Sequence, residues 1–267
     1  MLSLEEKFEL AKRAAQKAGA YLLNHRSFRV QAKAHHDFVT ECDKASERMI
    51  REMILAECPE DGFFGEEYGE TSGSGGRWIV DPIDGTTNFI KNLPMYTVSI
   101  AYEQGGVLQL GVVYCPPLNE LYAAQRGKGA TLNGERIRVS EIADPGDAVV
   151  SMGFAHRNPG NARRTHGLLP ALVRELSDLR RMGSAAYDLC CVASGRCDGF
   201  FELGIYLYDF AAGRVMVEEA GGKVTGWPGE ADCNLTGNVI ASNGLIHGRL
   251  EELLIGKPHT NESIQEA

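Results

Sequence analysis

The run Trp78-Ile79-Val80-Asp81-Pro82-Ile83-Asp84-Gly85-Thr86-Thr87-Asn88-Phe89 constrains the fold of this chain more than any other segment. A short stretch of strand-forming residues meets an acid, a proline, a second acid and then Gly-Thr-Thr. Proline cannot donate to a sheet ladder, so the strand is expected to end there and present Asp81, with Asp84 three residues later. Two carboxylates at that spacing around a turn can hold the same or adjacent hard cations. Gly85-Thr86-Thr87 then opens a helix whose first N–H groups lack intrahelical partners, a setting suited to a phosphate. The plainer alternative takes Asp81-Pro82 as turn punctuation and Asp84 as a helix N-cap, and this stretch alone supports both.

The surrounding chain places that segment between helices and a meander. Ser3 and Glu6 form a capping box, and Leu4, Phe8, Ala11, Ala15, Ala18 and Leu22 fall on one helical stripe. A second helix is expected from Lys44 to Glu57, with Asp43 as its N-cap and Pro59 beyond its end. Short strands are expected at Phe63-Phe64 and Trp78–Val80. Thr97–Tyr102, Val107–Tyr114, Leu121–Ala124 and a run before Asn133-Gly134 follow, punctuated by Gly105-Gly106 and Pro116-Pro117. Those turn dipeptides between β-branched runs are hairpin signals. Val149-Val150 adds a strand, and then the pattern alternates. Helices are expected at Ala162–Leu176, Ser184–Ser194, from Phe210 to Gly221-Gly222, and at Ile246–Leu254. Strands are expected at Asp198–Glu202 and Val239–Ala241. Helices, an antiparallel meander and then α/β alternation predict a layered α/β sandwich with two coupled halves meeting near residue 145.

Charge and cysteine content narrow the function classes. Lys+Arg 27 against Asp+Glu 36 gives a net charge of −9, which argues against a duplex-DNA binder. No uncharged apolar run approaches the roughly 18–20 residues of a membrane span. The opening MLSLEEKFEL places acids where a signal peptide carries basic and apolar residues, so a cytoplasmic location is expected. The seven cysteines form no C-x-x-C pair and read as reduced structural thiols. His35-His36 read as exposed loop residues. The chain has no G-x-S-x-G, H-E-x-x-H or G-x-x-x-x-G-K-[ST] motif, and Gly127-x-Gly129 reads as a turn. What remains is acidic. Glu66 follows a short strand, Asp209 stands at the mouth of a helix, and Asp43 follows Asp37-Phe38-Val39-Thr40. Each alone reads as a cap or a solvated acid. Together with Asp81 and Asp84 they form an oxygen-only set without His or Cys, which suits Mg²⁺ or Mn²⁺ rather than zinc.

Gly65-Glu66-Glu67, Trp78–Phe89 and Tyr208–Gly213, in that order and spacing, resemble the inositol monophosphatase family of Mg²⁺-dependent, lithium-sensitive phosphatases. The resemblance runs from the first helix to about Leu254, through Asp37–Thr40 with Asp43, Gly183–Ala186, Gly199–Glu202 and Glu219–Gly222. It implies an α/β (α+β) fold, a layered α/β/α/β/α sandwich of the inositol monophosphatase and sugar phosphatase type. The expected organisation is one domain over 1–267, softly divided into a metal- and phosphate-binding half, 1–145, and an α/β half, 146–256, with 257–267 a frayed tail.

Carried over residue by residue, the resemblance implies two to three Mg²⁺ ions, with Mn²⁺ as a substitute. Glu66, Asp81 and the Ile83 carbonyl would hold the first, and Asp81, Asp84 and Asp209 the second, with Glu66 near a looser third. Glu66 and the Thr86 hydroxyl would orient the attacking water, with Asp43 bonding Thr86. Gly85 and Thr86 N–H groups would bind the phosphate. One ion acidifies the water and another neutralises the departing alkoxide, so no phosphoenzyme is needed. Glu202, Ser184 and Ala185, with Tyr208 as a further candidate, would recognise the alcohol. Tyr208 departs from the tryptophan usual in the family. The implied reaction is hydrolysis of a small phosphate monoester, foremost myo-inositol 1-phosphate, by a homodimer. Thr87 after the Gly-Thr pair favours inositol-type substrates over adenosine bisphosphates. The alternatives are histidinol phosphate, fructose 1,6-bisphosphate or nucleotide phosphates, or a regulatory protein that binds RNA polymerase and has weak catalysis.

Overall fold

The computed structural model describes residues 2–25, 30–34 and 37–255. The expectations for His35-His36 and for the tail 257–267 lie outside the described residues. The chain opens with α1 (Leu4–Asn24), capped by the reciprocal Ser3 and Glu6 bonds expected from sequence. Its buried face runs through Leu10, Ala11, Ala14, Ala15, Ala18 and Leu22, which leaves Leu4 and Phe8 at the margin. A hairpin of β1 (Val30–Ala34) and β2 (Asp37–Thr40) leads into α2 (Glu41–Glu57). This helix starts earlier than expected because Thr40 caps it. Asp43 is therefore the third helical residue, its carboxylate bonding back to Thr40, and the expected N-cap role is corrected.

The large sheet contains β3 (Gly62–Gly65), β4 (Gly69–Thr71), β5 (Arg77–Asp84), β6 (Thr97–Gln104), β7 (Val107–Cys115), β8 (Glu120–Gln125), β9 (Gly129–Leu132) and β10 (Glu135–Ile137). Their order is β10-β9-β8-β7-β6-β5-β3-β4, with β3 parallel to β5 and the other neighbours antiparallel. The turn dipeptides located the meander from β6 to β9 correctly. A short helix, α3 (Thr86–Ile90), leaves the end of β5.

The second sheet is built from β11 (Val149–Met152), β12 (Asp178–Arg180), β13 (Gly199–Glu202), β14 (Lys223–Thr225) and β15 (Val239–Ser242), in the order β12-β11-β13-β15-β14. Between these strands run α4 (Pro159–Glu175), α5 (Ala185–Ala193), α6 (Leu207–Glu219) and α7 (Cys233–Thr236), and α8 (His247–Ile255) follows the last strand. Because α6 starts before Phe210, Asp209 is its third residue and bonds back to Tyr206 N.

The period-2 alternation of the strands sorts side chains into separate cores. Trp78 and Val80 join the core under α1 and α2, whereas Ile79 between them faces α5 and α6. Phe200 and Ala241 close that middle core from the second sheet, while Phe201 and Ile240 face α4 and α8. The layers are therefore helix, sheet, helix, sheet, helix, as the resemblance implied. A Cβ on Gly111 would lie 2.4 Å from the Ala212 carbonyl oxygen, so α6 meets β7 through bare backbone. All seven cysteines are buried and unpaired. Among the described residues no helix is long and apolar enough to cross a membrane.

Candidate active site

The ladder of β5 does not stop at Pro82, as expected from sequence; it slips. Asp81 lies opposite Ser99 and Asp84 opposite Thr97, so three steps on β5 match two on β6. In a regular strand, residues three apart point to opposite faces. One extra residue in the bulge turns both carboxylates to the same side. Oxygens of Asp81, Asp84 and Asp209 consequently lie within 4.8 Å of one another. Glu66 joins them because β3 runs parallel to β5 and ends one residue earlier, its N–H donating to the Val80 carbonyl at 3.2 Å.

Three helix starts converge on this spot. The amide of Ala186 in the first turn of α5 donates to Asp84 Oδ2 at 2.7 Å, and the Ser184 hydroxyl donates to the same oxygen at 2.7 Å. Asp209 Oδ2 accepts from Tyr206 N at the start of α6, and Asp81 Oδ1 accepts from Ile83 N. All these donors are neutral. Burial, reinforced by the neighbouring acids, pushes Asp81 and Asp209 well above the usual carboxylate range, and burial pushes Asp84 up to about 6. Glu66 is the strongest charged neighbour acting on Asp81. Clustered buried carboxylates bonded by backbone amides and a serine hydroxyl, with Arg157 offsetting only part of the charge at Asp209, fit a divalent cation of the hard, oxygen-seeking kind.

The start of α3 completes the floor. Gly85 takes the N-cap position at φ 93, in the left-handed region, and supplies no side-chain cap. The alternative reading of Asp84 as an N-cap is thereby overturned. Thr86 Oγ1 lies 3.2 Å from Asp43 Oδ1 and 3.1 Å from the Ile83 carbonyl. Its single proton goes to one of these acceptors, which leaves its lone pairs for a donor in the pocket. Burial raises Asp43 to about 7, against the lowering effect of its bonds from Thr40.

The pocket above this floor has a volume of about 290 Å³ and includes Glu66, Asp81, Asp84, Thr86, Glu202 and Asp209 in its lining. Glu202, at the end of β13, presses its carboxylate against Gly153, where a Cβ would lie 1.8 Å from its carboxyl carbon. Burial lifts Glu202 to about 7, with Asp84 adding to the rise and Arg181 and Arg157 opposing it. Ala185 lines the pocket as expected. Ser184 lines it too, yet its hydroxyl is committed to Asp84 and to capping α5 through Tyr187 N. Tyr208 is absent from the lining; its ring packs on Phe64 and stacks on Tyr206.

A sequence model described as the inositol monophosphatase family matches residues 3–263. The chain belongs to the inositol monophosphatase family. A relative from Escherichia coli (strain K12), called Nus factor SuhB, is 43% identical over 240 residues, covering 88% of this chain and 90% of that protein. An inositol-1-monophosphatase from Rhizobium meliloti (strain 1021) is 40% identical over 230 residues, covering 85% and 86%. The crystal structure of extragenic suppressor protein suhB from Bartonella henselae superposes with a TM-score of 0.89 at 40% identity, covering 92% of this chain and 97% of that one. Inositol monophosphatases are metal-dependent, and the buried acidic cluster of this member has the donor set for it.

Several site residues carry no sequence signal. Glu47 is fully buried in α2, and its carboxylate accepts from Glu67 N at 2.7 Å and Tyr68 N at 3.0 Å. It fills the space a Cβ on Gly65 would need, at 2.0 Å, and so clamps the turn that carries Glu66 from both sides. Asp188, buried at the pocket edge with Oδ1 lacking a hydrogen-bond partner, is held well above the usual range by burial and by Glu202. Glu47 lies in an amphipathic helix, where an acid reads as surface, whereas Asp188 lies in α5, whose residues are all buried. Arg157 and Arg181 also line the pocket, from segments that match no motif.

Proposed function

We propose that this chain is a Mg²⁺-dependent phosphatase of small phosphate monoesters, with myo-inositol 1-phosphate hydrolysed to inositol and phosphate as its foremost reaction. The reading is carried by one observation. Asp81, Asp84 and Asp209 converge, buried and bonded by backbone amides and the Ser184 hydroxyl, beside the amides of the Gly85-Thr86 turn. Glu66, Asp81, Asp84, Asp209 and the Ile83 carbonyl would hold the metal, with Mn²⁺ as a substitute. The bound ions would supply an acidified water and charge neutralisation at the departing oxygen. With the Thr86 hydroxyl donating to Asp43, the Thr86 oxygen would accept from the attacking water and aim it. The Gly85 and Thr86 amides bind phosphate oxygens, while Glu202 and Ala185 face the alcohol, Glu202 by accepting from hydroxyls. Ser184 acts through Asp84.

The experiment is phosphate release from a panel including myo-inositol 1-phosphate, histidinol phosphate, fructose 1,6-bisphosphate and nucleotide phosphates, with Mg²⁺ and with excess EDTA. The reading requires Mg²⁺-dependent turnover with the inositol ester foremost; activity in EDTA overturns it. Millimolar Li⁺ should inhibit, which a flat Li⁺ titration at saturating Mg²⁺ would contradict. A homodimer is expected, and light scattering giving a mass near 29.1 kDa at micromolar concentration would refute it. A second reading rests on the Nus factor name of the Escherichia coli relative: a partner-binding role, with RNA polymerase as candidate partner. Capture of polymerase by a variant lacking phosphatase activity would separate that role from catalysis.

A further inference from the structure

The floor of the pocket is assembled from segments of two different sheets, and one buried side-chain amide stands where they meet. Gly85 leaves β5 of the large sheet, whereas Gly183, Ser184 and Ala186 come from β12 of the second sheet on the way into α5. The approach is close. A Cβ on Gly85 would lie 3.0 Å from the Gly183 carbonyl oxygen, 3.1 Å from that of Met95 and 3.3 Å from the Ser184 Cβ. Asn88, buried on α3, spans this contact with its side chain. Its Nδ2 donates to the Met95 carbonyl at 2.5 Å and to the Met182 carbonyl at 2.8 Å. Both partners are carbonyl oxygens, so the NH₂ end of the amide faces them and spends both of its protons there. Gly183 makes room for it. A Cβ at that position would lie 2.9 Å from Asn88 Nδ2, and its φ of +89 suits glycine alone.

Both carbonyls held by Asn88 belong to chains that lead directly to the carboxylate floor. Met182 stands two residues before Ser184 and four before Ala186, and the Ser184 hydroxyl and Ala186 amide both donate to Asp84 Oδ2. Met95 stands two residues before Thr97, whose hydroxyl meets that of Ser184 at 3.2 Å. Asn88 itself follows Thr86 by two residues. We propose that Asn88 is a positioning residue of this site, stapling the start of α5 to the Gly85-Thr86 turn and so fixing Asp84 relative to the Gly85 and Thr86 amides. The inference rests on the phosphatase reading and adds a residue to its machinery. Asn88 is absent from the pocket lining, so it touches neither ion nor ester and acts through geometry alone. Geometry is enough, because a misplacement on the order of 1 Å between groups that act together can cost about 100-fold in rate. No near neighbour substitutes for it. Aspartate would turn an oxygen toward the two carbonyls, and serine has a single proton to give.

Asn88→Asp and Asn88→Ala separate this role from space filling. The aspartate keeps the shape but makes two attractive contacts repulsive, whereas the alanine leaves the two carbonyls for water to reach. At saturating Mg²⁺ and well below the melting temperature, kcat per folded molecule should fall about tenfold in Asn88→Ala, roughly 1.4 kcal/mol. It should fall further in Asn88→Asp. The Mg²⁺ concentration that gives half of the rise in melting temperature should increase in the same order, a readout that needs no substrate. Lys7→Met is the control, since it breaks a buried ion pair with Asp61 away from the pocket. It should lower stability and leave turnover and Mg²⁺ response at the parent values. Parent-like turnover and Mg²⁺ response in Asn88→Asp overturn the proposal. So does Asn88→Ala proving the worse of the two, as a packing residue would. Failure of both variants to fold also overturns it, because Asn88 would then serve the fold alone. If the parent hydrolyses no phosphate ester, the phosphatase reading fails, and the Mg²⁺ response still decides for or against the staple.

Discussion

Strand β5 has buried acids at both ends, and the two ends are solved in opposite ways. At its start, Asp61 accepts from the Lys7 ammonium, from Trp78 Nε1 at 2.9 Å and from Gly76 N at 3.1 Å. Lys7 reaches the Tyr102 hydroxyl as well, at 2.7 Å. One carboxylate thus meets one ammonium. Burial would pull Lys7 down, but the Asp61 and Tyr102 bonds outweigh it and hold the amine above its ordinary value. At the far end, Asp81, Asp84 and Asp209 share a site in which backbone amides and the Ser184 hydroxyl donate to them, and the charge of Arg157 offsets only part of the burden on Asp209. The first end is closed and structural. The second is electrostatically incomplete, and a chain keeps such a site only where something outside it supplies the charge.

The largest effect should come from removing one charge at the incomplete end. Asp84→Asn keeps the shape but should lower Mg²⁺-dependent phosphate release by roughly three orders of magnitude or more, on the scale of about 1.4 kcal/mol per decade. The metal-free variant should melt no lower than the parent, since a repulsive charge has gone. Substantial turnover in Asp84→Asn, or a large loss of metal-free stability, would erase the contrast between the two ends.

The complementary variant strikes the closed end. Lys7→Met strands Asp61 without its ammonium, which should cost about 3–5 kcal/mol. For a chain of this size that lowers the melting temperature by roughly 10 °C, while turnover per folded molecule is retained. A double variant, Lys7→Met with Asp61→Leu, should recover much of the loss. If Lys7→Met melts like the parent, the pair is not what holds this end together.

The pH response separates the ends a third way. In the metal-free protein Asp84 rises from 3.8 to about 6 and Asp43 from 3.8 to about 7, burial being the first cause of each. Between those limits the folded state binds more protons than the unfolded one, so these groups lower stability as pH rises through the window. Metal must displace the same protons. The Mg²⁺-induced rise in melting temperature should therefore be small near about pH 5 and grow toward about pH 8. Lys7, raised above 10.5, keeps its contribution to the parent throughout that range and loses it only as pH climbs past the folded value. A Mg²⁺ increment independent of pH would refute the first half of this expectation.

The contrast also marks what the sequence could tell. Turn dipeptides and β-branched runs located the meander, and Ser3 with Glu6 located α1, because each signal is local. Asp43 and Asp209 were recognised as helix-start acids but misplaced by a few residues, since Thr40 and Tyr206 take the cap positions. The β5 bulge could not be read, because Pro82 predicts a break and only the pairing with β6 reveals a slip. Strands β4, β10, β12 and β14 have three residues each, too short to show a period. Glu47, Asp188, Arg157 and Arg181 reach the site from distant segments by tertiary packing, which one sequence does not encode in any spacing.

The smallest expected effect concerns Glu202, the acid that belongs to neither end of β5. Its carboxylate sits against Gly153 in the lining of the pocket, and the proposed reading assigns it to the alcohol portion of the substrate. A buried acceptor that loses its hydroxyl partner costs about 1–3 kcal/mol, so Glu202 can both select polyols and disfavour plain aryl phosphates. Glu202→Gln should lower kcat/KM for myo-inositol 1-phosphate about tenfold more than for p-nitrophenyl phosphate. Gly153→Ala offers an independent route, because the added Cβ would occupy the place of the Glu202 carboxyl group and must displace it. Both variants should erode the same preference while Mg²⁺ still raises the melting temperature, for neither residue belongs to the carboxylate cluster. If both substrates instead fall in parallel and the Mg²⁺ response disappears, Glu202 supports the metal floor through Asp84, and specificity must be sought elsewhere in the pocket lining.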